Sequence, residues 1–411
     1  VTITGDLSFD GDTFENLEKG AKKTLARYVR NSQKIYDISV RNVLYNTYEN
    51  MNWIFTKPLL RAIPQFIRMS SQSLDRYVSR HFRDSRIKRI LEYHSVFLGT
   101  SPYKAPAIYS LMSTLDFKSG VKKKKKGIYS LVENMVSIGE SYGVQYRPNT
   151  EVREIQIKEG RAEGVVTSSG EVIKADIVIA DADLYHTETT LIPKHYQSYP
   201  ESYWKRREAS PSALLLSFGI KGKLEAIGHH TLYFVDEWKE NFEAIYGTKE
   251  LPSNPSLYIC KPSATDPTVA PVDHENVFIL VPLPAGKSLS PSQVADLRSH
   301  CLKILGHMCG DTPIESRIVT EDIVPPQLFG DRFNAWQYNS LGGQSHILRQ
   351  SAFFRTRNKS KKVSNLYYVG AGSNPGIGLP MCLISAQLVY KHLYNIHENG
   401  PLEALIKEPI R

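Results

Sequence analysis

The fold class of this chain follows from the stretch Asn365-Leu-Tyr-Tyr-Val369-Gly370-Ala371-Gly372-Ser-Asn-Pro375-Gly376-Ile-Gly378-Leu379-Pro380. Its apolar start predicts a β-strand, its four glycines predict a turn, and the apolar spacing of 381–396 predicts a helix. Glycines remove the Cβ atoms that would keep a ligand from the backbone, and a helix start offers unpaired N–H groups and the positive end of the helix dipole. The turn therefore predicts a site for a phosphate or a polar cofactor tail.

The glycine spacing differs from the dinucleotide-binding fingerprint. Gly370-x-Gly372 is followed by Gly376, one residue later than the fingerprint requires, and no acidic residue follows at the expected distance. A plain strand-to-helix connection is the alternative interpretation of such a turn.

The neighbouring residues favour a cofactor site. Residues Val369 to Pro380 resemble the C-terminal flavin-contacting motif of the carotenoid (phytoene) desaturases, Val-Gly-Ala-x-x-x-Pro-Gly-x-Gly-x-Pro, with every named position filled. Further segments resemble the same family in the same order, namely 60–64, 93–102, 107–111, 265–271 and 332–336. The resemblance covers nearly the whole chain and implies an FAD-dependent flavoprotein oxidoreductase.

The resemblance, with the chain's own patterns, predicts an α/β fold of mixed α+β character. The expected parts are an incomplete Rossmann-like cofactor domain, a substrate domain with an antiparallel sheet, and a helical subdomain that associates with a membrane. We assign 1–120 to the helical substrate- and membrane-associating region and 121–190 to part of the FAD-binding domain. Residues 191–345 are the predicted substrate domain, and 346–411 the C-terminal part of the FAD-binding domain.

The family's N-terminal Gly-x-Gly-x-x-Gly turn does not follow Val1. We interpret the chain as a fragment that lacks its dinucleotide-binding segment, with a natural protein that dispenses with the segment as the alternative. On the fragment hypothesis, residues 1–411 alone bind FAD weakly or not at all, because the pyrophosphate and ribose contacts belong to the absent part.

The resemblance also implies an activity. A hydride would leave an allylic C–H of a linear polyene such as phytoene or diapophytoene for flavin N5, and a proton would follow to give a new conjugated double bond. No Gly-x-Ser-x-Gly, His-Glu-x-x-His or P-loop sequence is found, which suits an enzyme whose cofactor carries the chemistry. Arg61 is the predicted catalytic residue, although Pro58 stands where the family has an acid. The predicted cofactor-binding residues are Val152, Gly370, Ala371, Gly372, Pro375, Gly376, Gly378, Leu379, Pro380 and Met381.

Other functions share these motifs. A carotenoid isomerase, a saturase and an aldehyde-forming oxidase are alternatives within the flavoprotein family, and a non-enzymatic lipid-binding protein is an alternative outside enzymes. The expected partners are a hydrophobic polyene and a membrane surface, with a quinone or oxygen as electron acceptor.

The segment 51–69 mixes aromatic and aliphatic residues with Lys57, Arg61 and Arg68. Such a composition is typical of a helix in a lipid interface, while a buried helix pair broken at Pro58 and Pro64 is the alternative. The apolar runs are shorter than about 18 residues, so we expect no transmembrane helix. The predicted location is cytoplasmic and peripheral to a membrane.

The formal net charge is +9, and five of the positive charges lie in Lys122 to Lys126. We interpret this block as an altered segment rather than a natural basic patch, because five ammonium groups would repel one another where the family has a turn near the flavin. The other basic residues are dispersed, so we expect no nucleic-acid partner. The cysteines, 260, 301, 309 and 382, show no metal-ligand spacing, and we predict no metal. The pair His229-His230 is interpreted as a strand or turn feature.

Hydrophobic periodicity predicts the remaining elements. Residues 10–115 are predicted to be mostly helical, and 291–309 to form a helix packed into a core. Short strands are predicted at 144–146, 152–157, 162–166 and 176–180, and strands of an antiparallel sheet at 213–218, 231–235, 257–260 and 277–282. We interpret Asp181 and Asp183 as turn or helix-cap residues.

Overall fold

A computed structural model describes residues 1–49, 57–120, 127–310 and 312–402 of the protein. The α-helices in these ranges are α1 (Leu7–Leu17), α2 (Ala21–Ser39), α3 (Lys57–Ser70), α4 (Leu74–Ser79), α5 (Ser85–Glu92), α6 (His94–Phe97), α7 (Tyr129–Ser141), α8 (Leu184–His186), α9 (Glu201–Trp204), α10 (Trp238–Glu243), α11 (Pro291–Met308), α12 (Gln327–Phe333) and α13 (Leu379–Leu393). The strands are β1 (Val152–Lys158), β2 (Arg161–Thr167), β3 (Val172–Lys174), β4 (Val178–Ala180), β5 (Ser212–Lys221), β6 (His230–Tyr233), β7 (Leu257–Cys260), β8 (His274–Leu283), β9 (Ile318–Val324) and β10 (Leu366–Tyr368).

The chain forms two compact units. The first unit comprises Val1–Val121, Val152–Ser210 and Leu341–Arg411, and the second comprises Lys122–Glu151 and Pro211–Ser340. Within the described ranges, no helix combines the length and the apolar character that crossing a bilayer requires.

Helices α1 to α6 form much of the first unit. Asp6 caps α1, because its side chain accepts hydrogen bonds from the N–H groups of Ser8 and Phe9, two donors that a helix start leaves unpaired. Phe14 of α1 meets Phe82 edge to face, with ring centroids 6.0 Å apart. The buried cluster around this pair includes Leu25, Tyr28, Leu74, Val78, Ile87 and Leu91. Aromatic and aliphatic burial therefore holds these helices together.

Two small sheets complete the first unit. β1, β2 and β3 form an antiparallel meander, whose first turn lies at Glu159 and Gly160 with φ angles of 50° and 74°. β4 and β10 pair in parallel. Asn365 ties this pair to the meander, because its side chain accepts a hydrogen bond from the Ala162 N–H (2.7 Å) and donates one to the Ala162 carbonyl oxygen (2.8 Å).

The second unit is built on an antiparallel sheet with the strand order β6-β7-β8-β5-β9. Helix α11 begins at a capping box, in which the Ser290 hydroxyl accepts from the Gln293 N–H and the Gln293 side chain accepts from the Ser290 N–H. The core between sheet and helix is wholly apolar at its centre, with Leu214, Leu216, Phe218, Ile259, Val277, Ile279, Cys301 and Leu305 buried.

The mixed helix and sheet class predicted from the sequence is confirmed. The predicted helical stretch 10–115 contains α2 to α6 and most of α1, which begins at Leu7, and the helix predicted at 291–309 is α11. Seven of the eight predicted strands overlap an observed one, and 213–218, 231–235, 257–260 and 277–282 do form one antiparallel sheet. The assignment of four functional regions stays a prediction, and the lysine block lies outside the described residues.

The strand predicted at 144–146 is wrong. Val144 donates its N–H to the Gly139 carbonyl oxygen over 3.0 Å, so this backbone group closes the end of α7 instead of joining a sheet. The sequence prediction also missed β3 and β9. β9 runs Ile-Val-Thr-Glu-Asp-Ile-Val, and its central polar residues interrupt the alternation by which an edge strand is recognised.

Candidate cofactor site

The carboxyl ends of β4 and β10 lie side by side in the first unit. Tyr368 pairs with Ala180, and the N–H of Val369 donates to the Ala180 carbonyl oxygen over 3.0 Å. Asp181 and Gly370 follow directly. In parallel α/β sheets, ligands bind outside the carboxyl ends of the strands. The glycine turn therefore begins where such a sheet holds its ligand.

Helix α13 starts immediately after the turn. Gly378 is its N-cap residue and has a φ of 118°, a conformation that favours glycine. Pro380 lies in the first turn, where its missing N–H costs no helical hydrogen bond. A Cβ placed on Gly378 would have the Met381 Cγ, 3.8 Å away, as its nearest atom, and Leu379 is 51% exposed. The space beside the helix start is open, so a polar ligand can approach its N–H groups.

Arg355 supports the inner side of the turn. Its guanidinium is buried and donates to the carbonyl oxygens of Ala371 (2.8 Å), Ser373 (3.2 Å) and Gln344 (3.1 Å). Burial lowers the pKa of Arg355 to about 10. This pKa is still well above 7, so the guanidinium is charged at neutral pH. One side chain thus fixes the direction of two carbonyl groups in the turn.

A line of hydrogen bonds runs from the turn through His346. The N–H of Ile377 donates to His346 Nε2 (3.2 Å), and His346 Nδ1 lies 3.0 Å from the Tyr109 hydroxyl, which lies 2.9 Å from Ser351 Oγ. Ser351 donates onward to the Ile347 carbonyl oxygen. This pattern requires a neutral imidazole with its proton on Nδ1. Burial, and secondarily the Arg355 charge, holds the pKa of His346 well below its ordinary value, which agrees with that state.

Asn358 links the turn at Asn374 to helix α13 by hydrogen bonds. Its Nδ2 donates to the Asn374 carbonyl oxygen (2.9 Å) and lies 2.9 Å from Ser385 Oγ of α13. The Thr356 hydroxyl donates to the Gly372 carbonyl oxygen, and the Asn374 N–H donates to the Thr356 carbonyl oxygen over 3.0 Å. Side chains from 344–358 therefore satisfy the buried backbone groups of the turn, which would otherwise destabilise it.

Asp181 lies next to the first glycine of the turn. Gly370 has a φ of 89°, which favours glycine, and a Cβ there would overlap the present position of the Asp181 carboxylate. Asp181 is exposed as a residue, and the partial burial of its carboxylate raises the pKa of Asp181. A carboxylate accepts hydrogen bonds but repels phosphate, so this position suits a hydroxyl or N–H donor of a cofactor. Asp183, by contrast, caps α8 by accepting from the His186 N–H (3.1 Å), which confirms its predicted capping role.

A second buried acid holds β10 in place. The Tyr368 hydroxyl donates to Glu188 Oε1, and the Tyr199 N–H donates to Glu188 Oε2 over 2.8 Å. Burial raises the pKa of Glu188. The bonds tie the strand before the turn to 188–199, so Glu188 stabilises the position of the strand end.

The structure brings most of the predicted cofactor residues together. The residues of the turn and helix start are continuous in space as in sequence, namely Gly370, Ala371, Gly372, Pro375, Gly376, Gly378, Leu379, Pro380 and Met381. Val152 is the first residue of β1, half-buried and paired with Thr167. Arg61 is exposed on α3, and no described contact joins it to the turn. The cofactor-binding roles of all these residues, and the catalytic role of Arg61, stay predictions.

Sequence reasoning did not find the residues that support the turn. Arg355, His346 and Glu188 belong to segments whose local pattern carries no motif, and Tyr109 lies in 107–111, a segment that resembles the family but does not indicate this contact. The available signal was indirect: His346 and three arginines, Arg349, Arg355 and Arg357, precede a glycine turn that has many backbone carbonyl groups.

No family model matches the chain, but several curated proteins are similar to it in sequence. The chain is 34% identical over 391 residues to a carotenoid 3,4-desaturase of Haloarcula japonica, covering 94% of this chain and 77% of the relative. It is 33% identical over 342 residues to a neurosporene-forming phytoene desaturase of Cereibacter sphaeroides, covering 81% and 65%. It is 31% identical over 321 residues to a 4,4'-diapolycopene oxygenase of a Methylomonas species, covering 77% and 64%.

Solved structures with the same fold include oxidoreductases. An oxidoreductase from Methanosarcina mazei matches with a TM-score of 0.54 and 14% identity, covering 81% of this chain and 71% of the other. Wild-type putrescine oxidase bound to putrescine matches with a TM-score of 0.54 and 12% identity, covering 92% and 76%. At such identities the likeness concerns the fold alone. The sequence relationship over 94% of the residues is the stronger finding, and by it the chain belongs to the carotenoid desaturase family.

Proposed function

We propose that the protein is an FAD-dependent oxidoreductase that desaturates a linear carotenoid precursor such as phytoene or diapophytoene. The observation that carries the proposal is the glycine turn at the carboxyl ends of β4 and β10, in a chain that belongs to the carotenoid desaturase family. The turn opens a helix start to solvent and is held from within by buried side chains.

The residues of the turn fit an FAD molecule. The open space at Gly378 and the N–H groups of α13 suit a polar, phosphate-bearing group. Asp181 suits a hydroxyl or N–H donor of the same cofactor. The proposed cofactor contacts are Val152, Gly370, Ala371, Gly372, Pro375, Gly376, Gly378, Leu379, Pro380 and Met381. Bound FAD supplies the hydride acceptor, and a quinone or oxygen is the proposed final electron acceptor.

The chain's own residues would hold the cofactor site in shape. Arg355, His346 and Asn358 hold the turn in one conformation through buried hydrogen bonds, which is the kind of preorganisation that positions reacting groups. Arg61 stays the proposed catalytic residue.

We propose that α3 lies on a membrane surface. Leu60 (44% exposed) and Ile67 (63% exposed) lie on the same face of α3, two helical turns apart. Arg61 and Arg68, which follow them in sequence, are also exposed. Apolar side chains flanked by arginines suit an interface with anionic lipid. Such a face would meet the membrane in which a polyene dissolves.

Vesicle binding tests this surface. Leu60→Gln and Ile67→Gln together should reduce sedimentation of the full-length protein with anionic vesicles by roughly tenfold. Phe333→Gln is the matched control, since Phe333 is 64% exposed on a different helix, and it should bind like the wild type. Equal binding of all three proteins would rule out α3 as the contact.

Co-expression of the full-length gene in a phytoene-producing host tests the reaction class. Desaturation should give coloured polyenes lighter than phytoene by two hydrogens for each step. A product of unchanged mass would indicate an isomerase. A product with added hydrogens would indicate a saturase, and a product with added oxygen would indicate an oxygenase. The oxygenase is the alternative that a 31% identical relative favours. Protein that carries no FAD and leaves phytoene unchanged would instead indicate a lipid-binding protein.

A further inference from the structure

Three potential metal ligands meet at the edge of the second unit's sheet. One ligand atom from each of His229, His230 and Cys260 lies within 4.8 Å of the others. β6 is the edge strand, and in its register with β7 His230 stands directly opposite Cys260. His229 precedes β6, and its carbonyl oxygen accepts a hydrogen bond from the Lys261 N–H (2.8 Å). The strand pairing therefore assembles residues that lie far apart in sequence.

The histidine rings are oriented by hydroxyl groups. His229 Nδ1 lies 2.6 Å from Thr265 Oγ1, and His230 Nδ1 lies 2.8 Å from the Tyr258 hydroxyl. The two rings are close, with centroids 4.3 Å apart. Hydrogen-bonded partners of this kind fix the orientation of histidine ligands in metal sites. Cys260 and His229 are half-buried and His230 is exposed, so an ion can reach the cluster from solvent.

We propose that His229, His230 and Cys260 bind a Zn²⁺ ion. Two imidazole nitrogens and a thiolate form a donor set that zinc accepts, with water as the fourth ligand. Tetrahedral zinc places nitrogen and sulfur donors about 3.3 to 3.6 Å apart, so small side-chain rotations from the observed separation close the site. On binding, the Cys260 thiol releases its proton to solvent and a Zn–S bond forms.

The ion would link the edge strand β6 to β7. A ligand that binds the folded state alone raises its stability in proportion to the logarithm of its concentration. Zinc should therefore raise the unfolding temperature of the protein. The site lies in the second unit and uses none of the residues of the glycine turn, so it is independent of the proposed cofactor site.

Calorimetric titration of the full-length protein with Zn²⁺ tests the proposal. The wild type should bind one equivalent. Cys260→Ser and His230→Gln should each weaken binding at least about tenfold, because each removes a ligand. His274→Gln is the matched control, a histidine of the same unit outside the cluster, and it should bind like the wild type. Circular dichroism confirms that each variant is folded.

Cobalt provides a second readout. Co²⁺ bound to the wild type should show the near-ultraviolet absorption of a cobalt–thiolate bond, and this band should disappear in Cys260→Ser but remain in Cys309→Ser. Zinc should raise the unfolding temperature of the wild type and of His274→Gln. It should not raise the unfolding temperature of His230→Gln or Cys260→Ser. The proposal is overturned if the wild type binds zinc no more tightly than Cys260→Ser, or if the cobalt band is absent.

Discussion

The guanidinium of Arg355 donates a hydrogen bond of 2.8 Å to the carbonyl oxygen of Ala371, in the turn that begins at the end of β10. The same side chain binds the carbonyl oxygens of Ser373 and Gln344. Because Arg355 is buried together with its bonds to Ser373 and Gln344, and its bond to Ala371 is half-buried, the arginine is a structural part of the turn. The geometry of the proposed FAD site depends on it.

Arg355→Met should destabilise the protein by about 3 kcal/mol or more, because it leaves two buried carbonyl oxygens and one half-buried carbonyl oxygen without their donor. Urea unfolding measures the effect. Arg349→Met is the matched control: Arg349 is exposed and pairs with Glu208 on the surface, so its loss should cost less than about 1 kcal/mol. Similar losses in both variants would mean that Arg355 does not support the turn.

His346 should make stability dependent on pH. Its pKa is lowered in the folded protein, so below its ordinary value of about 6.5 the unfolded chain binds a proton that the folded protein does not. Above that pH the neutral His346 does not lower the free energy of unfolding. As the pH falls below it, protonation of the unfolded chain lowers the free energy of unfolding by up to about 1.4 kcal/mol per pH unit. His346→Gln retains an acceptor for the Ile377 N–H and should unfold with a shallower dependence between about pH 8 and pH 5.

The exposed His195 provides the comparison for this experiment. His195→Gln should keep the wild-type pH dependence of the unfolding free energy. If His346→Gln also keeps it, the imidazole is not buried in the neutral state.

The glycine turn and α13 could be predicted from sequence because their signals are local: an apolar strand, glycines and a proline at a helix start, over 365–380. Four of the five antiparallel strands of the second unit were equally visible as short apolar runs, and β9, with polar residues at its centre, was not. The support of the turn was not visible, since Arg355 and His346 act on backbone carbonyl and N–H groups, and backbone groups carry no sequence signal. The clustering of Cys260 with His229 and His230 likewise depends on strand register, which composition does not determine.

Gly378→Ala should weaken FAD binding about tenfold or more in the full-length protein. The new Cβ enters the open space at the start of α13, and alanine at a φ of 118° is strained by roughly 1 to 3 kcal/mol. Fluorescence titration with FAD measures the affinity. Gly170→Ala is the control, because Gly170 also has a positive φ (89°) and open space but lies in a hairpin turn. Its FAD affinity should match that of the wild type.

Asp181→Asn should lower cofactor affinity and leave the apoprotein about as stable as the wild type. Partial burial raises the pKa of Asp181, so the ionised carboxylate is disfavoured in the folded protein, but Asp181 is exposed as a residue and solvent screening keeps this cost small. The free energy of unfolding of the apoprotein should therefore change by less than about 1 kcal/mol. FAD affinity should fall by roughly tenfold or more, since a hydrogen bond to a charged group contributes about 1.5 to 3 kcal/mol. Unchanged affinity would exclude Asp181 from the cofactor site.

Anaerobic mixing of the FAD-loaded full-length protein with phytoene in vesicles tests the proposed desaturation most directly. The visible flavin absorption and the mass of the polyene are measured in the same sample. We predict loss of the oxidised flavin absorption in equal proportion to a product that lacks two hydrogens. An unchanged flavin spectrum in protein that alters the polyene, or a product of unchanged mass, would contradict dehydrogenation by this protein.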